Sequence, residues 1–298
     1  MKRLISANTS EILAMSAAEL KQSIKASEGR VILSENVAVR ESFVGDITNA
    51  EIARAFGADL ILLNCVDVLE PEIFGLKHDK DNFVSELRRL VGRPIGVNLE
   101  PVDSQAEMLE DRLEIPRGRQ LNLETAKRLE EVGFDFVCLT GNPGTGVTNE
   151  QITEAVRLTK EHFSGLIIAG KMHGAGSNEP VADLKTAETF VEAGADIILV
   201  PAVGTVPGFD EAELKAVVKA VHRCSGLVMS AIGTSQESSD IDTIRNIAIS
   251  NKICGVDIQH IGDAGYGGVA PVENILAMSK ALRGVRHTVS VIARSINR

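Results

Sequence analysis

Short apolar runs recur along the chain at intervals of a few tens of residues. Each is rich in Val, Ile and Leu and shows little alternation with polar residues, which is typical of strands buried on both faces of a parallel sheet. The eight runs are Val31–Glu35, Leu60–Asn64, Ile95–Glu100, Phe134–Thr140, Leu166–Lys171, Ile197–Val200, Leu227–Ile232 and Gly255–Gln259. Segments with helical periodicity separate them, among them Leu123–Val132, Glu150–His162, Asp183–Glu192 and Glu211–Val221. This alternation predicts βαβ units.

A short motif precedes every second strand in the first three quarters of the chain. A glycine is followed two residues later by an aspartate, and an apolar strand begins, at Gly57–Asp59, Gly133–Asp135 and Gly194–Asp196. Glycine suits the left-handed residue that ends a helix. The repeat favours a closed barrel built from four similar quarters, although convergent turn chemistry would produce the same pattern.

The connections between the predicted elements differ in length. Helix-to-strand connections are short, whereas strand-to-helix connections are long, and in an α/β barrel those long loops lie at the C-terminal face where active sites are built. We therefore predict an α/β fold, a (βα)8 TIM barrel, as one domain over residues 1–298. An extra N-terminal helix is expected near Ser16–Ala26, where Ser16 and Glu19 match a capping box.

Composition narrows the class of protein. Of the 298 residues, 44% are hydrophobic and 24% are charged, which excludes a disordered chain. The net charge of −10 argues against nucleic acid and anionic membranes as partners. No segment approaches the roughly 20 apolar residues that cross a bilayer. Asn8 and Glu11 interrupt any signal-peptide core, so a cytoplasmic protein is expected.

Four widely spaced cysteines, with no C-x-x-C pair, are expected to be reduced core residues rather than a disulfide or zinc site.

Polar residues lie at the ends of several predicted strands. In the third strand Gly96, Asn98 and Glu100 share one face, and the small and polar set is expected to point inward. The same reasoning from alternation predicts that eight side chains converge on one pocket. They are Glu35, Asn64, Asn98, Glu100, Lys171, His173, Asp257 and Gln259.

Lys171 is the leading candidate for chemistry among them. A lysine at a barrel mouth is partly desolvated and near other charges, and both effects shift its pKa. It could form a Schiff base, transfer a proton or hold a substrate anion. The structural alternative is an ion pair with Glu35 or Glu100.

Histidines and carboxylates supply further candidates for acid–base catalysis. His173 follows Lys171 by two residues, His260 ends the eighth strand, and Glu100 and Asp257 are plausible general bases or magnesium ligands. The chain lacks the H-x-H, H-E-x-x-H and EF-hand spacings. No cofactor is therefore required by the sequence, and a divalent metal is left open.

Glycine-rich loops follow the seventh and eighth strands, the usual location of a phosphate site in α/β barrels. The expected contacts are backbone amides of Gly233, Thr234, Ser235, Gly265, Gly267 and Gly268, unless these glycines serve ordinary turns. The Gly141–Gly146 loop lacks the ending of a nucleotide P-loop, and no G-x-G-x-x-G follows the first strand.

The eight-unit pattern, with the loops Gly233–Ser235 and Gly262–Gly268, resembles the phosphate-binding α/β-barrel superfamily. The resemblance implies a lyase, aldolase or isomerase acting on a small phosphorylated carbonyl metabolite. A hydrolase, metal-assisted or not, and a non-catalytic metabolite-binding barrel are the alternatives, and a homo-oligomer is left open. Haloacid dehalogenase-like hydrolases need Asp-x-Asp directly after a buried strand, and neither Asp79–Asp81 nor Asp240–Asp242 has that position.

Overall fold

The computed structural model describes residues 1–109, 111–176 and 179–298, with only the backbone of Tyr266. Eight parallel strands close into a barrel and follow one another around it in chain order. They are β1 (Val31–Val37), β2 (Leu60–Asn64), β3 (Ile95–Leu99), β4 (Phe136–Leu139), β5 (Leu166–Gly170), β6 (Ile197–Pro201), β7 (Leu227–Ile232) and β8 (Ile258–Ile261). The predicted (βα)8 TIM barrel is confirmed.

Helices surround the barrel and precede it. They are α1 (Thr9–Leu13), α2 (Ala17–Lys25), α3 (Asn49–Ala55), α4 (Phe83–Val91), α5 (Leu123–Val132), α6 (Asn149–His162), α7 (Leu184–Ala193), α8 (Glu211–Arg223), α9 (Ile241–Cys254) and α10 (Val272–Ala293). The predicted extra helix is α2, and Ser16 and Glu19 form the capping box at its start. Among the described residues, no helix has both the length and the apolarity to span a membrane.

Alternation along the strands divides the hydrophobic residues into two layers. Outward side chains such as Ile32 and Val97 pack against the helices. Inward side chains such as Leu62 and Phe136 fill the barrel, together with Leu20 and Ile24 of α2. The N-terminal segment therefore seals the N-terminal end of the barrel, and any ligand must enter from the other end.

Four aspartates tie the N-terminal ends of the strands together in pairs. Each lies just before an even-numbered strand, and its carboxylate accepts a hydrogen bond from a backbone N–H of the preceding odd-numbered strand. Asp59, Asp135, Asp196 and Asp257 accept in this way from Ile32, Ile95, Ile167 and Val228 at 2.8 to 3.2 Å. The N–H of each aspartate donates in return to the carbonyl oxygen of the same partner. We call these four arrangements the aspartate clasps.

Each clasp also holds a basic side chain. Arg283, Arg88, Lys21 and His222 contact Asp59, Asp135, Asp196 and Asp257, respectively, at 2.6 to 3.0 Å. Arg88 and His222 come from the helix directly before the first strand of their unit, and Arg283 has the equivalent place because α10 precedes β1 around the ring. The third unit instead takes Lys21 from α2. The barrel thus has an approximate fourfold repeat.

The fourth clasp corrects the prediction for Asp257. Gly255 ends α9 in the left-handed conformation, at φ 96°, and β8 begins only at Ile258. The motif glycine-x-aspartate therefore recurs at Gly255–Asp257, where the sequence was interpreted as part of the strand. Asp257 lies at the N-terminal end of the barrel, bonded to His222 and to the Val228 amide, and cannot reach a pocket at the opposite end.

We expect the clasp of Asp59 to be the most costly to break. Arg283 is buried, and its guanidinium bonds Asp59 at 2.6 Å, Ser279 at 2.9 Å and the carbonyl oxygen of Gly57. Arg283→Met should lower the free energy of unfolding by about 3–5 kcal/mol, because it leaves a buried carboxylate unpaired. Urea denaturation measures the loss. Arg157→Met, which removes an exposed ion pair, is the matched control and should change stability by less than about 0.5 kcal/mol.

Candidate active site at the C-terminal mouth of the barrel

A cavity of about 390 Å³ opens at the C-terminal end of the strands. Polar side chains from β1 to β3 and from the loops after β4 and β8 form one side. Residues after β5 and β7 form the other side, where Met172 and several glycines lie beside the polar His173, Ser235 and Glu237. The cavity is therefore lined by polar residues on both sides. Of the predicted site residues, Glu35, Asn64, Asn98, His173, Gly233, Thr234 and Ser235 line the cavity.

A buried carboxylate and imidazole lie at the floor. Glu35 lies on the inward face of β1, and its Oε2 lies 2.7 Å from Nε2 of His260 on β8. Both side chains are almost completely buried, so their charges or dipoles act through a medium of low dielectric constant. His260 lies behind Glu35 rather than in the lining itself. His260 therefore fixes the orientation of the Glu35 carboxylate, and the two side chains can share one proton across this hydrogen bond.

Three asparagines form a connected amide network beside this pair. Asn64 Nδ2 donates to Asn142 Oδ1 at 3.0 Å and to Asp263 Oδ2 at 2.9 Å. Asn98 Nδ2 and Asn142 Nδ2 in turn donate to Asn64 Oδ1 at 3.2 and 3.1 Å. The network fixes the orientation of Asn64, which in turn holds the carboxylate of Asp263.

Glu100 anchors the network from behind. Its carboxylate accepts hydrogen bonds from Asn142 N at 2.8 Å, from Asn142 Nδ2 at 2.9 Å and from Arg119 Nη2 at 2.8 Å. The sequence predicted Glu100 as a general base facing the pocket. The structure instead places it outside the lining, with its oxygens bound by donors, so that it positions Asn142.

Asp263 is a titratable residue that the sequence analysis did not single out. It follows β8 in the loop that was interpreted as a phosphate loop, and its carboxylate lines the cavity near Glu35. Burial, followed by the negative charge of Glu35, raises the pKa of Asp263 to about 6. A carboxylate with this pKa exchanges protons readily near neutral pH, as a general acid or base must. The pKa itself depends on loop packing, so sequence spacing gave no signal for it.

Glu237 is a second such residue. It lies after β7, is 1% exposed, and its Oε1 accepts a hydrogen bond from Ala264 N at 2.8 Å. Oε2 is buried and has no hydrogen-bond partner among the described residues. Burial raises the pKa of this carboxyl group. Glu237 therefore belongs to the cavity lining, while its unmatched oxygen is shielded from solvent.

Lys171 lies elsewhere than predicted. Ile167 and Ala169 belong to the outer hydrophobic layer, and Lys171, of the same parity, also points away from the barrel axis. Its ammonium group binds Glu179 at 2.8 Å and does not line the cavity. Burial lowers the pKa of this lysine, and Glu179 opposes the effect. The prediction that Lys171 reaches the pocket is wrong, because Met172 rather than Lys171 takes the inward position.

The structure also corrects the predicted inward direction of Gln259. His260 faces inward on β8, so its neighbour Gln259 faces outward, where Ser230 Oγ lies 3.5 Å from its Oε1. Ile258 and His260 face the barrel interior, so the polar residues Asp257 and Gln259 are not the inward set that the sequence predicted.

The three glycines of the loop after β8 also lie outside the predicted anion site. A Cβ at Gly265 would lie 2.0 Å from Val269 O, one at Gly267 would lie 2.8 Å from Glu41 O, and one at Gly268 would lie 2.7 Å from Val37 Cβ. These glycines are therefore needed for close packing of the loop against itself and against β1. None of them lines the cavity.

The loop after β7 does reach the mouth. Thr234 and Ser235 both have positive φ, 58° and 66°, and their backbone N–H groups have no acceptor among the described residues. The Thr234 hydroxyl is directed at acceptors within the protein, including Thr205 O at 3.2 Å. Backbone amides in such a turn can hold an anion, whereas the Thr234 hydroxyl is already used.

His173 also lines the cavity, as predicted. Its Nδ1 accepts a hydrogen bond from Ala175 N at 3.0 Å, which places the hydrogen of the neutral ring on Nε2.

Among the residues that the structure describes, no group of three or more His, Cys, Asp or Glu side chains converges closely enough to hold a metal ion.

Residues 5–298 match the family model described as a domain of unknown function, DUF7916, and the chain belongs to that family. No curated protein sequence matches it.

Solved structures that share the fold include enzymes of two descriptions. A candidate lyase/mutase from Burkholderia cenocepacia J2315 shares 15% identity at a TM-score of 0.52, over 94% of this chain and 86% of that one. The carboxyl transferase domain of Rhizobium etli pyruvate carboxylase with 3-bromopyruvate shares 16% at 0.52, over 96% of this chain. This protein spans about half of that domain, 52%, and 29% of a longer pyruvate carboxylase chain. Likeness at this level shows the fold alone.

The raised pKa of Asp263 predicts a cost in stability. A carboxyl group with a folded pKa above its unfolded value destabilises the fold once pH exceeds the unfolded value, about 3.8. Asp263→Asn keeps the acceptor for Asn64 and removes the charge. It should raise the free energy of unfolding at pH 7.5 by up to about 3 kcal/mol. Urea denaturation between pH 4 and 8 should show this gain shrinking as pH falls below 6.

The exposed Asp242→Asn is the control and should show no such gain. A wild-type-like stability of the Asp263 variant at pH 7.5 would contradict the raised pKa.

Proposed function

We propose that this protein is a barrel enzyme of lyase or isomerase type that acts on a small phosphorylated carbonyl compound at the C-terminal mouth. The observation that carries the proposal is Asp263, whose carboxylate lies in the cavity with a pKa of about 6, beside the Glu35–His260 pair. A strongly perturbed carboxylate in a cleft is a typical general acid or base. The enzymes with the same fold support the class and not the substrate.

The proposed chemistry begins with proton removal. Ionised Asp263, held by Asn64, takes a proton from the carbon next to the substrate carbonyl. In an isomerisation, protonated Asp263 returns the proton to the former carbonyl carbon of the resulting enediolate, while a proton moves between the two substrate oxygens. In a lyase reaction the same base instead removes the proton of the hydroxyl group β to the carbonyl. The C–C bond between those carbons then breaks, a new carbonyl forms on one fragment, and protonated Asp263 returns the proton to the enolate carbon of the other. Glu35 also lines the cavity, and its negative charge contributes to the raised pKa of Asp263.

The substrate phosphate would be bound by the backbone amides of Thr234 and Ser235. The cavity lining includes the carboxyl groups of Glu35, Glu237 and Asp263, so a phosphate is unfavourable deep in the mouth. The two amides lie at the exposed rim, where solvent screens that repulsion. The proposal therefore sets the phosphate at the rim and the carbonyl near Asp263. Lys171 has no part in it, because its ammonium group binds Glu179 outside the lining.

Proton exchange with solvent tests the proposal without knowledge of the full reaction. Dihydroxyacetone phosphate, glyceraldehyde 3-phosphate and ribose 5-phosphate are incubated with the protein in D₂O, and deuterium at the carbon next to the carbonyl is followed by NMR. We expect enzyme-dependent exchange with at least one of them. The rate should rise with pH through about 6 as Asp263 ionises.

Asp263→Asn should reduce the exchange rate by at least about 100-fold, since a general base contributes about 10²–10⁴. Asp242→Asn, an exposed change of the same type on α9, should leave the rate unchanged. Exchange that survives in the Asp263 variant would overturn the assignment of the base, and the absence of exchange with all three probes would count against the proposed class.

A further inference from the structure

One of the four aspartate clasps uses a basic side chain of a type that loses its charge near neutral pH. Arg283, Arg88 and Lys21 hold the first three clasps, and arginine and lysine stay positively charged around neutrality. The fourth clasp uses His222, and histidine is the side chain that titrates in this range. The barrel therefore contains three clasps of constant charge and one whose charge depends on pH.

The fourth clasp is built around one carboxylate oxygen. Asp257 Oδ2 lies 2.7 Å from Nε2 of His222 and accepts the hydrogen bond from Val228 N at 2.9 Å. The side chain of Asp257 is 9% exposed, whereas that of His222 is 37% exposed. Solvent protons therefore reach the imidazole directly, while the carboxylate that joins β7 to β8 is largely shielded from water.

The surroundings of His222 favour its protonated form. The hydrogen bond to Asp257 raises the pKa of His222, and burial and the positive charge of Lys25 on α2 oppose this effect without cancelling it. His222 also lies in the last turn of α8, where the helix dipole favours a positive charge. Its neighbour on that helix, Arg223, pairs with Glu188 at 3.9 Å. Among the described residues, Asp257 and Lys25 are thus the charged groups that act on the imidazole.

Loss of the proton weakens the fourth clasp without breaking it. A neutral imidazole can still donate a hydrogen bond from Nε2 to the Asp257 carboxylate. It no longer contributes the attraction between opposite charges, which is stronger at a largely buried carboxylate than in water. The same carboxylate oxygen holds the N–H of Val228, so the junction between β7 and β8 responds to the charge on His222.

We propose that the fourth clasp is a pH-sensitive joint of the barrel, in which protonated His222 holds β7 and β8 together more firmly than neutral His222 does. The other three strand pairs keep the same connection through the neutral range. The inference goes beyond the proposed function, because it concerns the N-terminal end of the barrel and involves no residue of the cavity lining.

The effect has a definite sign. A histidine whose folded pKa lies above its unfolded value, about 6.5, contributes stability that is fully present below the unfolded value. That contribution is lost as pH rises through the folded pKa. The fourth clasp should therefore stabilise the protein more at pH 5.5 than at pH 9.

Urea denaturation of the whole protein at these two pH values tests the inference. His222→Gln retains a hydrogen-bond donor and cannot become charged. The urea midpoint of the wild type should exceed that of this variant by more at pH 5.5 than at pH 9, and the two gaps should differ by about 0.2–0.3 M. Titrating groups far from His222, Asp263 among them, affect both proteins equally and cancel in the gap. His222→Arg supplies a permanent charge and should lose less of its midpoint between pH 5.5 and pH 9 than the wild type does.

His162→Gln is the matched control. His162 lies in the last turn of α6, as His222 does in α8, and forms no ion pair with a described residue. Its midpoint gap to the wild type should be nearly the same at both pH values.

A gap for His222→Gln that is equal at the two pH values, or larger at pH 9, overturns the inference. So does a gap for His162→Gln that changes with pH as much. NMR titration of the His222 imidazole in the folded wild-type protein gives a test that needs no variant to fold. A pKa above about 6.5 supports the joint, and one at or below that value overturns it.

Discussion

The barrel depends on how the N-terminal ends of its strands are joined. At each aspartate clasp the carboxylate accepts a hydrogen bond from a strand N–H and contacts a basic side chain. The N–H of the aspartate donates in return to a carbonyl oxygen of the same strand. A buried backbone group that is left unpaired at the end of a strand costs about as much free energy as a lost hydrogen bond. The four clasps supply hydrogen-bond partners for these backbone groups at equivalent positions around the barrel. The strands are thereby held at one end, and the loops at the other end carry the candidate chemistry.

The mouth is ordered by a different device, a single chain of hydrogen bonds. Arg119 holds Glu100, Glu100 holds Asn142, Asn142 bonds Asn64, and Asn64 holds Asp263. Asn64 ends β2 and Glu100 directly follows β3, whereas Arg119, Asn142 and Asp263 lie on loops. The carboxylate that matters for the proposed chemistry therefore lies on a loop, and a side chain at the end of a strand holds it. Such support from strands is what an active site needs in order to hold its geometry.

The fold could be predicted from the sequence because its signals are local. Apolar runs marked the strands, and Ser16 with Glu19 marked the start of α2. The inward direction of Gly96 and Asn98 on β3 was also correct, since Gly96 leaves the space that the Phe136 ring fills, whereas Glu100 lies outside the cavity lining. The prediction of inward-facing side chains from alternation was wrong at two places. On β8 a turn motif was interpreted as part of the strand, and after β5 the strand ends at Gly170, with φ 147°, before it reaches Lys171. Asp263 and Glu237 were missed because their burial results from contacts between loops distant in the sequence.

The two ends of the chain lie together. Ser10 N donates to the carbonyl oxygen of Arg298 at 2.8 Å, and Arg294 bonds Asn8 at 2.7 Å. Each clasp, moreover, joins an odd-numbered strand to the even-numbered strand that follows it. The molecule therefore resembles a ring of four modules, each a pair of strands joined by one clasp, and the two chain ends lie next to the first module. Circular permutation, with the present ends joined by a short linker and new ends cut between modules, would keep all four strand-to-aspartate connections within continuous chain. The architecture therefore does not require that the four modules follow one another along the chain from the present starting point.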